Sequence, residues 1–182
     1  NESYLLLSRF DGNSREGIVE LVDLTNFEVL HTWNPDIDEL NKSVNKSDDF
    51  KFINRDNNNS RYVPNHPLLM QDGGLVFQDN SPLRKIDSCS NLIFQNDYDK
   101  FHHSIEIDLE GNIWVPSTIF PQKLPINKIG KSNIFWDDAI VKFSPSGDIL
   151  FEKSVAQKFI DNGLEYLLFS VGDDQSFTRD PI

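Results

Sequence analysis

The chain has 182 residues and a formal net charge of −12, with 38% hydrophobic and 12% aromatic residues. That length and apolar content suffice for a sizeable core, while the acidic balance argues against nucleic acid and against an anionic membrane surface, since both need basic footprints. No apolar stretch approaches the roughly 20 residues of a membrane span, and the one cysteine, Cys89, permits no intrachain disulfide.

The first elements are strand-like runs with turn signals between them. Tyr4 to Phe10 is followed by the turn-rich DGNSREG, Ile18 to Leu24 by Thr25-Asn26-Phe27, and Glu28 to Trp33 by Asn34-Pro35. A polar stretch rich in Asn, Asp and Lys then runs from Asn34 to Asn65 and reads as a long loop. A second series opens at His66 with HPLLMQ, turns at Asp72-Gly73-Gly74, and continues through LVFQ and LRKID, the turn Ser88 to Asn91, and LIFQND. A third opens at His102 with HHSIEID, turns at Glu110-Gly111-Asn112 into IWVPS, and passes through a long loop, 118–137. It resumes with DAIVKFS, the turn Pro145 to Asp148, and ILFEKS. Ser154 to Asn162 reads as a short helix stopped by Gly163.

The two later series share a plan. A histidine opens a strand, an acidic-glycine turn leads to a second, a connection leads to a third, and a tight turn leads to a fourth. Four antiparallel strands recurring at about 40 to 55 residues are the pattern of a β-propeller blade. The expected fold is therefore all-β, with β-propeller blades at roughly 1–33, 66–97 and 102–154 in a single domain of about eleven strands. The first blade lacks its innermost strand, so about three blades are present and the propeller is incomplete. A non-propeller β-meander or sandwich is the alternative. Because ~4–8 blades close a ring and open edges invite association, further chain or another copy is expected to complete it. The opening residue Asn1, in place of Met, carries the same expectation of an excised or processed piece.

In blade topology every tight turn goes to one rim, and the long connections, with the starts of the innermost strands, go to the other. His66, His102 and His103 then stand on the long-loop rim, where sites usually form. Alternation puts His103 with Ile105, Ile107 and Leu109, and His102 with Ser104, Glu106 and Asp108. His102 is thus the channel-facing candidate, and His103 has the competing role of a structural histidine between blades. His66, before Pro67, either faces the channel or shapes the start of its strand, and His31 is structural. Trp136, beside Asp137-Asp138, is a candidate for lining a substrate site, although the two carboxylates fit capping of the strand start better.

Other signals are weaker. Asp36 and Asp38 have calcium-loop spacing without the glycine or terminal glutamate of an EF-hand, and read as a solvated loop. The Asn-X-Ser patterns at Asn41, Asn45 and Asn58 match glycosylation acceptors, and Cys89 sits in a tight turn with no base nearby in sequence. Four histidines and one cysteine offer no closed zinc-site spacing, so neither a metal nor a cofactor is expected.

The run FHHSIEIDLEGNIWVP, followed by DDAIVKFSPSGDILFEKS, resembles the propeller repeats of bacterial arylsulfotransferases. HHSIEIDLEGNIWV is the most specific part, and the similarity spans roughly residues 60 to 182. The resemblance implies a six-bladed propeller with a site at the channel mouth. There a phenolic sulfate would donate a sulfuryl group to a phenol through a sulfohistidine, without PAPS and with help from other histidines and an arginine. It also implies a periplasmic or secreted location. His102 and His103 match a histidine motif of the family, without either being marked as the nucleophile. The nucleophile is expected in a later blade, and the chain stops at FTRDPI, where a fourth innermost strand would begin. Arg179, near that point, has no assigned role. Three readings follow: a sulfotransferase-type enzyme or a piece of one that is inactive alone, a non-catalytic propeller that binds a protein or small anion, and a structural fragment needing a partner chain.

Overall fold

The computed structural model describes residues 3–119 and 137–169. Its chain forms two compact units, 1–106 and 107–182. Among the described residues there are eleven strands and four short helices, and the strand pairs β1–β2, β2–β3, β4–β5, β5–β6, β6–β7, β9–β10 and β10–β11, whose ranges follow, are antiparallel. The all-β expectation and the strand count therefore hold.

In the first unit, β1 (Tyr4–Asp11), β2 (Glu16–Asp23) and β3 (Glu28–Trp33) form a three-stranded meander in the order β1-β2-β3. β4 (Asn65–Leu69), β5 (Leu75–Gln78), β6 (Ser81–Ile86) and β7 (Leu92–Phe101) form a second meander of four neighbours in chain order. One core joins the two sheets. Val19 and Trp33 from the first pack with Leu75, Phe77 and Ile86 from the second, together with Ile37, Leu40 and Tyr62. The indole of Trp33 donates to the Gly73 carbonyl at 3.1 Å. His31 Nε2 lies 2.8 Å from the Ser88 carbonyl, with its ring edge-on to Trp33. His31 is structural, as its outer-strand place suggested.

The stretch 34–65 is not a plain loop. It contains α1 (Ile37–Asn41) and α2 (Ile53–Asp56). Asp36 caps α1, its carboxylate accepting from the Glu39 amide at 3.0 Å, so the Asp36/Asp38 spacing is a helix start. Only one face of each short helix is apolar: Ile37 and Leu40 enter the main core, while Val44, Phe50 and Ile53 form a small cluster of their own. That sparse pattern among many polar residues is why no helix was legible there. The stretch is pinned to the second sheet by buried Arg84 of β6, which donates to Gln95 Oε1 at 2.8 Å and to Asn41 Oδ1 at 2.7 Å. Asn41 in turn donates to the Asn57 carbonyl and is buried, so this Asn-X-Ser acceptor is closed in the fold.

In the second unit, β8 (Glu106–Ile107) pairs with β9 (Ile113–Ile119), and β9, β10 (Asp137–Phe143) and β11 (Ile149–Ser154) are successive neighbours. β8 begins at the last residue of the first unit. β9 alternates strictly between buried and half-buried residues, as a strand with one face in a core should. α3 (Val155–Asp161) starts on Ser154, whose hydroxyl accepts from the Gln157 amide at 2.9 Å. Gly163 follows in the left-handed conformation at φ +68°, so the expected short helix and its glycine stop are both present. α4 (Glu165–Phe169) packs on α3 through Leu168 against Ala156.

One strand differs from expectation. HHSIEID does not form a strand opening at His102; only Glu106 and Ile107 pair. His102 directly follows the C-terminal end of β7, and His103 takes a left-handed φ of +59°. That conformation breaks the two-residue alternation. Ile105 is buried, Ile107 is exposed, and Leu109 is 103% exposed. The facing assigned to the two histidines from alternation therefore fails.

Candidate functional site

Antiparallel pairing decides which residues meet at an end of the β4–β7 sheet. Asn65 is opposite Gln78, and Ser81 is opposite Phe101. The start of β4, the β5–β6 connection and the end of β7 consequently share one end, which carries His66, Gln78, Asp79, Asn80, His102 and His103. Gly73 and the turn at Asp87–Asn91 occupy the other end. Within this sheet the turns at 70–74 and 87–91 lie at the end away from the histidines, while the two-residue β5–β6 connection, Asp79-Asn80, lies at the histidine end.

The backbone at the histidine end is unusual. Outside glycine, the left-handed region is sparsely populated, yet His66 (φ +44°), Asn80 (φ +47°) and His103 (φ +59°) all occupy it. His66 does so immediately before Pro67, within a break in the β4–β5 register between Asn65 and Leu68. Its side chain and that of His103 are exposed, whereas His102 is only 8% exposed. The two adjacent rings meet edge to face, with centroids 4.8 Å apart at 79°.

Polar side chains tie these segments together. Gln78 Nε2 donates to the His103 carbonyl at 2.5 Å. Asn65 Nδ2 donates to the Asp79 carboxylate at 2.8 Å, and Asn57 Nδ2 donates to the Asp79 carbonyl at 2.8 Å. The Asp79 amide donates to Ser81 Oγ at 3.1 Å. Burial raises the Asp79 carboxyl above the ordinary carboxylate value, and the Asn65 bond only partly opposes it. Gln78 and Asp79 were missed by sequence reasoning. Nothing in LVFQDN marks them apart from an amide and an acid ending a strand.

The remaining candidates stand apart. Trp136, most of the 118–137 loop and Arg179 lie outside the described residues. Asp137 and Asp138 are buried at the start of β10, and the Ser154 hydroxyl donates to Asp137 at 2.6 Å, which fits the capping reading. Cys89 is an exposed free thiol in its turn, where its amide donates to Asp87 at 2.8 Å. Among the described residues no group of three or more His, Cys, Asp and Glu side chains could hold a metal ion. No described helix is long and apolar enough to cross a membrane.

These features define an antiparallel all-β protein with histidines gathered at one sheet end. Residues 66–182, more than half of the chain, match the family model described as arylsulfotransferase (ASST), and the chain belongs to that family. The match starts at His66 and includes both His102 and His103, in keeping with the resemblance read in FHHSIEIDLEGNIWVP. No curated protein matches the chain. Among solved structures it is similar to a protein of unknown function from Bacteroides caccae, with 10% identity, coverage of 87% of this chain and 70% of that one, and a TM-score of 0.37.

Proposed function

We propose that the chain serves transfer of a sulfuryl group from a phenolic sulfate to a phenol through a histidine intermediate. The observation that carries this reading is membership of the arylsulfotransferase family over the residues that contain His66, His102 and His103. In the first half-reaction an imidazole nitrogen bonds to sulfur, the sulfur–oxygen bond to the leaving phenolate breaks, and a proton passes to the phenolate. In the second, the acceptor phenol's oxygen bonds to sulfur, the nitrogen–sulfur bond breaks, and the phenolic proton goes to a neighbouring base. Neutral imidazole suits the first role near neutral pH. The exposed rings of His66 and His103 are accessible to substrate, and buried His102 braces His103 edge to face.

The sulfuryl oxygens and the departing phenolate need positive or N–H donors. Arg84 is buried and committed to Asn41 and Gln95. The donors in this proposal are therefore other groups, histidines and an arginine supplied by the remaining blades. The strand series 1–33, 66–97 and 102–154 are proposed as propeller blades of three, four and four strands, with the ring completed by further chain or a second copy. Three blades surround only part of a channel, so the 182 residues alone are expected to turn over little substrate. Losing even one preorganised donor can cost ~10²–10³ in rate.

The test is turnover of a chromogenic aryl sulfate with a phenol acceptor. It compares the 182-residue chain, a chain extended by its flanking reading frame, and His102→Ala and His103→Ala in each. Turnover by the extended chain alone, reduced in the histidine variants, is the expected result. Robust turnover by the short chain would refute its incompleteness. An extended chain that binds aryl sulfate without converting it would replace the enzyme reading with a binding module.

A further inference from the structure

The geometry points to Gln78 as a positioning residue that holds the His102-His103 segment in its working conformation. Gln78 ends β5, a strand whose other residues, Leu75, Val76 and Phe77, are fully apolar and buried. Its own side chain is completely buried. Nε2 donates to the carbonyl of His103, 25 residues further along. That bond fixes the orientation of the amide, and it leaves Oε1 buried with no hydrogen-bond partner among the described residues.

A buried amide with half its capacity unused is a poor choice for stability alone. An apolar residue would continue the strand's pattern and remove the unpartnered oxygen. The feature that Gln78 supplies and an apolar residue could not is the bond to His103. That carbonyl belongs to a residue outside any strand, in a left-handed conformation, immediately after β7 ends. Gln78 couples it to a central strand, and through the peptide sets the directions of both imidazoles, whose rings are in edge contact. The residue opposite Gln78 on the neighbouring strand is Asn65, next to His66. The clamp thus lies where the two segments that carry His66 and His102-His103 converge.

This role rests on the sulfuryl-transfer reading for its catalytic meaning, and its structural part is tested separately. Two variants remove the bond: Gln78→Leu, which deletes the donor, and Gln78→Asn, which keeps the amide but is too short to reach. The chain has four histidines, so their ring signals can be assigned by nuclear magnetic resonance. In either folded variant the ring signals of His102 and His103 are expected to move, while those of His31, held by Ser88 at the opposite end of the sheet, stay in place. In whichever length of chain turns over aryl sulfate, kcat is expected to fall about 10- to 100-fold with little change in KM, as for a misplaced reacting group. Unmoved His102 and His103 signals in a folded variant would overturn the clamp. Moved signals with unchanged kcat would overturn its catalytic meaning. If the unaltered protein transfers no sulfuryl group, the proposed function fails by itself, and the ring signals still decide whether Gln78 positions the pair.

Discussion

The series β4–β7 and β8–β11 repeat one turn design with different chemistry. Each of the hairpin turns at 70–74, 87–91, 108–112 and 144–148 closes with the same pair of backbone bonds. The amide of the first residue donates to the carbonyl of the fifth, and the amide of the fourth donates to the carbonyl of the first, all within 2.8–3.1 Å. The fourth residue is left-handed in every case: Gly73, Ser90, Gly111 and Gly147. The side chain that braces the turn varies. Asp87 and Asp108 each accept from the amides two and four residues on. Asp72 accepts from Gly74, and Ser144 accepts from Asp148. The backbone geometry is thus the constant, and any short acceptor at the right place serves it.

Asp108 does more than its counterpart Asp87. Besides bracing its turn, it accepts from Trp114 Nε1 at 3.0 Å and from Lys142 at 2.8 Å, and Lys142 lies over the Trp114 ring. The Asp87 carboxylate accepts from the Cys89 and Asn91 amides and the Asn91 side chain, all within its own turn. Within HHSIEIDLEGNIWV, the most specific part of the family resemblance, the stretch IDLEGNIW therefore encodes a turn fastened to its own sheet. That is a structural role for these residues, separate from the histidines before them.

Substitutions test how far the likeness goes. The largest effect is expected at Gly74, where an added Cβ would sit 2.3 Å from the Ile86 carbonyl oxygen. Gly74→Ala should cost about 2–4 kcal/mol in urea unfolding, because backbone on the neighbouring strand must shift. The corresponding fifth positions, Asn91, Asn112 and Asp148, carry side chains, so a negligible loss at Gly74 would mean that the first turn is no tighter than the others.

Gly111→Ala should cost less, about 1–2 kcal/mol, since the added Cβ meets only Pro145 Cγ at 3.7 Å and the penalty is that of φ +83°. A loss equal to that of Gly74→Ala would show crowding at Gly111 that its open surroundings do not contain.

Ser90→Gly probes the same position in the one turn that lacks glycine there. It should stabilise the protein by about 0.5–1 kcal/mol, with left-handed strain relieved but chain entropy increased. The Ser90 hydroxyl also accepts from the Asn34 amide at 2.9 Å. A net loss in thermal unfolding would therefore mean that this bond outweighs the backbone strain.

Acidification is expected to give the most gradual change. Asp72 is held below the usual carboxylate range by its bond from Lys85, and Asp87 by its bond from Asn91. At Asp108 desolvation pushes upward, but bonds from Lys142, Trp114 and Asn112 together outweigh it and hold the pKa low. Asp11, braced by the Ser14 amide and by Arg9, is lowered to about 2. Groups depressed on folding stabilise above their unfolded pKa of about 4 and lose that contribution as pH falls through the folded value. Stability should therefore decline from about pH 4 toward pH 2, while Asp79, raised by burial, acts in the opposite sense only above about pH 4. Asp108→Asn should flatten the decline in chemical unfolding more than Asp87→Asn; equal effects would show that Lys142 and Trp114 add nothing to the pH response.

Much of this architecture was readable from residue order. Alternation in IWVPS and DAIVKFS, apolar runs such as LVFQ, and turn residues at Gly73, Gly111 and Gly147 depend on local stereochemistry, so strand number and turn positions followed from them. Ser154 and Gly163 bounded α3 for the same reason: a cap needs only its own neighbours. The family was likewise legible in FHHSIEIDLEGNIWVP. What lay beyond local pattern was decided by contacts distant in the chain. The helices in 34–65 exist because a few apolar side chains find cores and because Arg84, 43 residues from Asn41, ties the stretch down. HHSIEID has the alternation of a strand, but a left-handed His103, bound through its carbonyl by Gln78 of another strand, ends that periodicity after β7. Alternation records which residues could share a face, whereas pairing partners and long-range hydrogen bonds determine whether the backbone is extended there at all.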